Sequence, residues 1–148
     1  ANNTFLLVIL GCLLLEKMNY KMTSPLSDLP IYKKAMDILM VSRSISTYIV
    51  QDLSYLDCDG NEDAHIYFSG DIIQQSESLA PQIEMAQAER FSERKYEHLD
   101  SIEKLLNRLQ INCNRLENCK SNGRDYLPIL KKELNKFNRL KRNWMLSL

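Results

Sequence analysis

Lys132, Lys136, Arg139 and Asn143 follow one another at steps of four, three and four residues. On a helix that spacing places all four on one face. Cationic side chains in such a row can neutralise phosphates without reading a base sequence. The same row also suits a solvated helix face whose charges are partly met by acids elsewhere in the chain. Between Gln51 and Glu103, thirteen Asp and Glu stand against three Arg and Lys, a net charge of −10. Between Lys120 and Leu148, eight Lys and Arg stand against two acids, a net charge of +6, although the whole chain is formally neutral. An acidic middle and a basic end can attract each other within one molecule or between copies, and the basic end can meet a polyanion.

The other residue types that carry chemistry are less suggestive. Asp57, Asp59, Asn61 and Asp63 alternate like the opening of a calcium-binding loop. That loop needs Gly at its sixth position for the bend and Glu at its twelfth as a bidentate ligand. Glu62 and Phe68 stand there instead, so a solvated turn between helices is expected. Cys12, Cys58, Cys113 and Cys119 form no CxxC pair, and the two histidines, His65 and His98, are far apart, which is not zinc-site spacing. Cys113 and Cys119 fall on a helical pattern, where Cys usually serves as a small apolar filler. No GxSxG, Gly-rich phosphate loop, HExxH or paired Glu-x-x-His is present. Ser42, Ser44 and Ser46 with Arg43 make a polar island that suits an interface or a solvated face. The residues point to no enzyme, metal or cofactor.

Four helical segments position these residues. The first, about Asp28 to Leu56, repeats Ile31, Ala35, Ile38, Ile45, Ile49, Leu53 and Leu56 at the helical period. Ser27 or Asp28 can cap it, and Pro30 is tolerated in the first turn, where a missing N–H had no partner. The stretch Asp57–Asp63 stops it, with Gly60 in a left-handed conformation. The second, about Glu62 to Ala88 or Glu89, carries Ile66, Ile73, Leu79, Ile83 and Ala86 on one face, with Tyr67, Phe68 and Ile72 widening it. Pro81 should kink it near Ser78–Pro81. In the third, about Ser92 to Lys120, Leu99, Ile102, Leu106, Leu109, Cys113 and Leu116 form a heptad seam that Tyr96 extends upstream. Gly123 then suits a left-handed cap and Asp125 the next N-cap. The fourth, about Asp125 to Leu146, buries Leu127, Leu130, Leu134, Phe137 and Trp144, with the basic stripe opposite.

Before these lies the apolar run Phe5–Leu15. Its 11 residues are too few for a membrane-spanning helix, which needs about 20. No charged residue precedes it, as a secretory signal would require. Two readings are open. The run is an extra helix, Thr4 to Met18, packed on the bundle or on a neighbouring copy, or an upstream extension of a chain whose natural start is Met18 or Met22; alternatively it is a leader in which Ile9–Cys12 ("ILGC") acts as a lipobox.

Three stretches, "LPIYKKAMDILMVSRSI" (Leu29–Ile45), "SESLAPQIEMAQAER" (Ser76–Arg90) and "NGRDYLPILKKELNKFNRLKRNW" (Asn122–Trp144), carry a family likeness. The chain resembles the four-helix-bundle family that includes bacterial ribosomal RNA intervening-sequence proteins and the accessory proteins of diversity-generating retroelements. The likeness lies in element order, the "A-P-Q-I" kink and a basic last helix ending in Trp. It implies a small, non-enzymatic, cytoplasmic bundle that assembles with itself, in that family typically as a ring of five. It further implies RNA or DNA and a reverse transcriptase as partners of a basic surface, here Lys131, Lys132, Lys136, Arg139, Lys141 and Arg142. Those relatives are strongly basic overall, unlike this neutral chain.

The expectation is an all-α protein: an apolar N-terminal extension over 1–27, and an up-down-up-down four-helix bundle over 28–148. Its expected role is that of a nucleic-acid-binding accessory protein without cofactor or metal. Two other classes remain: a periplasmic or surface bundle lipid-anchored through Cys12, and a small-molecule-binding bundle with a pocket at the Gly70–Pro81 kink.

Overall fold

The computed structural model describes residues 25–148. The expectations for Phe5–Leu15 and Cys12 lie outside the described residues, as does nearly all of the 1–27 extension. Residues 25–148 form four α-helices and no strand: α1 (Pro30–Leu53), α2 (Ala64–Ala88), α3 (Ser92–Leu116) and α4 (Leu127–Leu146), with short 3-10 turns at Leu26–Asp28 and Asn122–Tyr126.

Pro30 opens α1 at a position where its lost donor costs nothing. Neither Ser27 nor Asp28 caps this helix. Leu29 holds the cap position without a side-chain bond, because the 3-10 turn delivers the chain directly into the helix and the Leu29 carbonyl accepts from the Lys33 N–H. The helix stops at Leu53, so Leu56 is left 62% exposed rather than in the core. Asp57 orders the turn that follows. Its Oδ1 accepts from the backbone N–H groups of Asp59 and Asn61 at 2.9 and 2.8 Å, the Asx-turn chemistry of such loops. Gly60 takes the left-handed backbone there, with φ of 79°.

Asp63 then caps α2, its carboxylate accepting the His65 N–H at 2.9 Å. The helix continues through Pro81 to Ala88. Pro81 is exposed, so water can serve the carbonyl that its missing N–H leaves without a partner. Glu89 links α2 to α3, accepting from the N–H groups of Arg90 and Phe91. In α3 the heptad residues Ile102, Leu106, Leu109, Cys113 and Leu116 are buried and Leu99 is half-buried, but Tyr96 does not extend the seam, being 68% exposed. The helix ends at Leu116, short of Lys120.

The link to α4 departs from the sequence expectation. Gly123 is not left-handed; Gly60 alone has a positive φ among the described residues. A side chain at Gly123 would meet the Ile45 carbonyl oxygen and Ile49 Cγ1 at 3.0 Å each, so the close approach to α1, not the backbone conformation, favours glycine here. Asp125 does not cap α4. Instead Ser121 accepts the Gly123 N–H at 3.0 Å and donates to Asp52 at 2.7 Å, which ties the turn to α1.

α1 packs on α2, α2 on α3, and α1 on α4, while α3 and α4 are the loosest of the neighbouring pairs. The polar island resolves into the α1–α2 contact. Ser42 pairs with Ser76 at 2.8 Å and Ser46 with Ser69 at 3.1 Å, all four buried. Ser76 donates to the Ile72 carbonyl and Ser69 to the Ile66 carbonyl, so Ser42 and Ser46 are the donors across the interface. Ser44 and Arg43 stay outside. Partner numbers rise along α1 as they fall along α2. They do likewise between α2 and α3, where Gln75 meets Asn112 and Gln82 meets His98.

Candidate nucleic-acid interface

Leu127, Leu130, Leu134, Phe137 and Trp144 bury one side of α4, and that orientation decides where its charges go. Trp144 is committed to the interior, its Nε1 donating to Gln87 Oε1 at 2.9 Å. Lys132, Lys136, Arg139 and Asn143 are all exposed on the far side.

The six basic residues divide into three groups. Lys131 and Lys141 lean toward α3, where they pair with Glu117 and Glu103. Lys136 lies 3.5 Å from Glu133, an acid already held by Lys34 of α1 at 2.6 Å. The hydrogen bond from Lys34 holds the Glu133 carboxyl below the usual carboxylate range, and the same bond raises the Lys34 ammonium above its ordinary value. Glu133 is thus engaged with α1 and is a poor neutraliser of the outer stripe. Lys132, Arg139 and Arg142 are exposed and form no ion pair among the described residues.

The loose α3–α4 seam opens as clefts along its length. One, of about 450 Å³, is lined by Asn135, Asn138, Arg139, Lys141 and Arg142 of α4 and by Glu103 of α3. A second lies beside Glu117, Arg124, Asp125, Pro128 and Lys131. A third, at the far end, is lined by Tyr96, Leu99, Met145 and Leu148. The first cleft has the composition of a phosphate site: two amides, two guanidinium groups and an ammonium, with one carboxylate opposing them. Arg supplies bidentate donors and Asn supplies amide donors to such an anion. Asn135 and Asn138 were not among the expected site residues. Their signal is present, since 135, 138, 139 and 142 follow the one-face helical spacing, but a search restricted to charged residues passes over them.

Other candidate chemistry is absorbed by the fold. Cys113 is buried on α3, and burial pushes its thiol up to about 11, away from nucleophilic use. Cys58, Cys113 and Cys119 are free thiols. His65 Nδ1 sits 2.7 Å from Asp63, at the cap, and His98 Nδ1 sits 3.1 Å from Gln82. Among the described residues no group of three or more His, Cys, Asp or Glu is placed to hold a metal, and no helix is long and apolar enough to cross a membrane. Around the Pro81 position, Leu79 and Ile83 are fully buried, and the clefts along the α3–α4 seam lie elsewhere. Comparison with family models, curated proteins and solved structures finds no match to this chain.

Proposed function

We propose that the protein is a non-enzymatic, self-associating, up-down-up-down four-helix bundle that binds nucleic acid through the outer and α3-facing sides of α4. The observation that carries this reading is the convergence of Asn135, Asn138, Arg139, Lys141 and Arg142 on one cleft, continuous with the exposed stripe of Lys132 and Lys136. The opposing partner order along successive helices supports the bundle topology. The family resemblance adds a cytoplasmic accessory role and a reverse transcriptase as a further partner of the same surface. Phosphate contacts of this kind position a backbone and carry no sequence information by themselves. Binding should therefore be tolerant of sequence and steep in salt.

The test is fluorescence anisotropy of labelled RNA, single-stranded DNA and duplex DNA, titrated in low and near-physiological salt. Each lost phosphate contact reduces the slope of log affinity against log salt by about 0.9 for duplex. Arg139→Glu with Arg142→Glu should abolish binding in near-physiological salt while leaving the helical circular dichroism spectrum unchanged. Unaltered binding by that variant would remove α4 from the interface.

A further inference from the structure

The sequence leaves open whether its acidic and basic regions meet within one molecule or between two. The fold answers for α2 and α4. α2 carries Asp71, Glu77 and Glu84 and neither Lys nor Arg; α4 carries six cations and one acid. The helices pack in the order α1–α2, α2–α3, α3–α4 and α4–α1, so α2 and α4 lie across a diagonal. They touch through Gln87 and the buried Trp144, not through their charged faces. The acids that reach α4 from its neighbour come from α3, at Glu103 and Glu117. The outer faces of α2 and α4 therefore point away from each other, one acidic and one basic.

Their registers also correspond. Glu77 and Glu84 are exposed and seven residues apart, as are Lys132 and Arg139. Seven residues are two helical turns, about 10.5 Å of rise on either helix. Beside the acidic pair runs the α1 stripe of Met36, Met40 and Arg43. Arg43 on that stripe pairs with Glu77 at 3.1 Å, which sets the stripe against the α2 acids and partly offsets Glu77, while Glu84 forms no ion pair among the described residues. Met36 and Met40 are 39% and 66% exposed. They supply an adaptable apolar contact that the hydrocarbon stems of Lys and Arg can cover.

We infer that the outer face of α4 in one molecule docks on the Glu77–Glu84 face of α2 in a second copy, and that this contact competes with nucleic acid for the same cations. The inference rests on the reading of α4 given above. The two patches occupy opposite sides of the bundle, so the contact is heterologous: each bound pair leaves one basic and one acidic face free. Assembly then proceeds beyond a dimer, to a closed ring or an open chain. Added nucleic acid takes the α4 face and disperses the assembly.

Charge exchange tests this with the full-length chain. One variant carries Lys132→Glu and Arg139→Glu; the other carries Glu77→Lys and Glu84→Lys. In sedimentation velocity, the wild type should form species larger than a dimer in low salt and dissociate in high salt. Each variant alone should be monomeric, because its two faces then carry the same sign. An equimolar mixture should assemble again, with alternating copies. A short DNA oligonucleotide should dissociate the wild-type assembly. Should a reversed variant lose its helical spectrum, Lys132→Gln with Arg139→Gln and Glu77→Gln with Glu84→Gln give the same loss without the recovery on mixing. Assembly that stops at a dimer, persists in high salt, or survives in either variant alone overturns the inference. The two readings fail separately. A wild type that is monomeric yet loses DNA binding on Lys132→Glu, Arg139→Glu removes the self-contact and keeps the nucleic-acid face. A Lys132→Glu, Arg139→Glu variant that is monomeric yet binds DNA as the wild type does removes the nucleic-acid face and keeps the self-contact.

Discussion

Asp63 shows how much one side chain decides locally. Its carboxylate accepts the His65 backbone N–H, and that bond, before any other influence, holds its carboxyl below the usual range. A carboxyl lowered in the folded state stabilises the fold above its ordinary value, and that stabilisation is lost as pH falls through the lowered folded value. Asp63→Ala should cost about 1 kcal/mol near neutrality, as an N-cap loss, and the gap from wild type should close in the acid range. Urea unfolding near neutrality and in the acid range measures it, and a gap that persists in acid would assign the loss to something other than the cap. The two turn glycines make a second test. Gly123→Ala drives a Cβ to 3.0 Å from the Ile45 carbonyl and should cost about 1–3 kcal/mol by overpacking. Gly60→Ala meets no neighbour but must hold a φ of 79°, which costs about 1–2 kcal/mol. In the sequence these glycines look alike, because both follow a helix and precede polar residues. Only Gly60 has the left-handed backbone expected of both. The demand on Gly123 comes from the carbonyl of a helix more than seventy residues earlier, and no local pattern encodes it.

The element that matters most for binding is α4, and the α3 helix opposite limits it. Glu103 faces Arg139 and Arg142 across the cleft and pairs with Lys141. It opposes any anion that enters. Glu103→Gln should therefore strengthen polyanion binding several-fold, and the gain should shrink as salt screens the cleft. Anisotropy titrations of this variant beside wild type decide it; unchanged affinity would mean that the anion stays on the outer stripe and never enters the seam. The existence of the four helices was legible because each carries an apolar helical period, unbroken in α3 through Ile102, Leu106, Leu109, Cys113 and Leu116 and interrupted in α1 and α2 only by buried serines. Their ends were less so. Leu56 and Tyr96 continue the period, yet both are exposed, since the turn at Asp57 and the start of α3 at Ser92 carry them past the core. For the candidate site, the exposed row of Lys132, Lys136, Arg139 and Asn143 follows from spacing alone. The diversion of Lys131 and Lys141 to Glu117 and Glu103 depends on the register of α3 against α4, which is set by packing across the molecule.

At the scale of the whole molecule, the cations of α4 load the fold as well as equip it. Lys132 and Lys136, Lys136 and Arg139, and Arg139 and Arg142 are like-charge neighbours at three or four residues, each destabilising an isolated helix by about 0.2–0.5 kcal/mol. Their acid partner within the helix, Glu133, is drawn to Lys34 of α1. A polyanion that binds the folded face relieves this repulsion and stabilises the native state by mass action. At a hundredfold excess over the dissociation constant the gain is about 2.7 kcal/mol, a rise in melting temperature on the order of 5–10 °C for a domain of this size. Salt alone should raise the melting temperature less, because it screens the repulsion without a bound ligand. Added to the polyanion, the same salt should abolish the larger shift. The variant with Arg139→Glu and Arg142→Glu should melt close to the wild-type temperature without ligand, since it turns the Lys136–Arg139 repulsion into an attraction while positions 139 and 142 remain like-charged. It should show no shift with the polyanion. A thermal-melt series monitored by circular dichroism, with and without a DNA oligonucleotide and at two salt concentrations, reads all of these effects in one experiment. An equal ligand shift in wild type and variant would mean that the polyanion binds elsewhere on the bundle. A ligand shift that survives high salt would mean that the contact is not built from these charges.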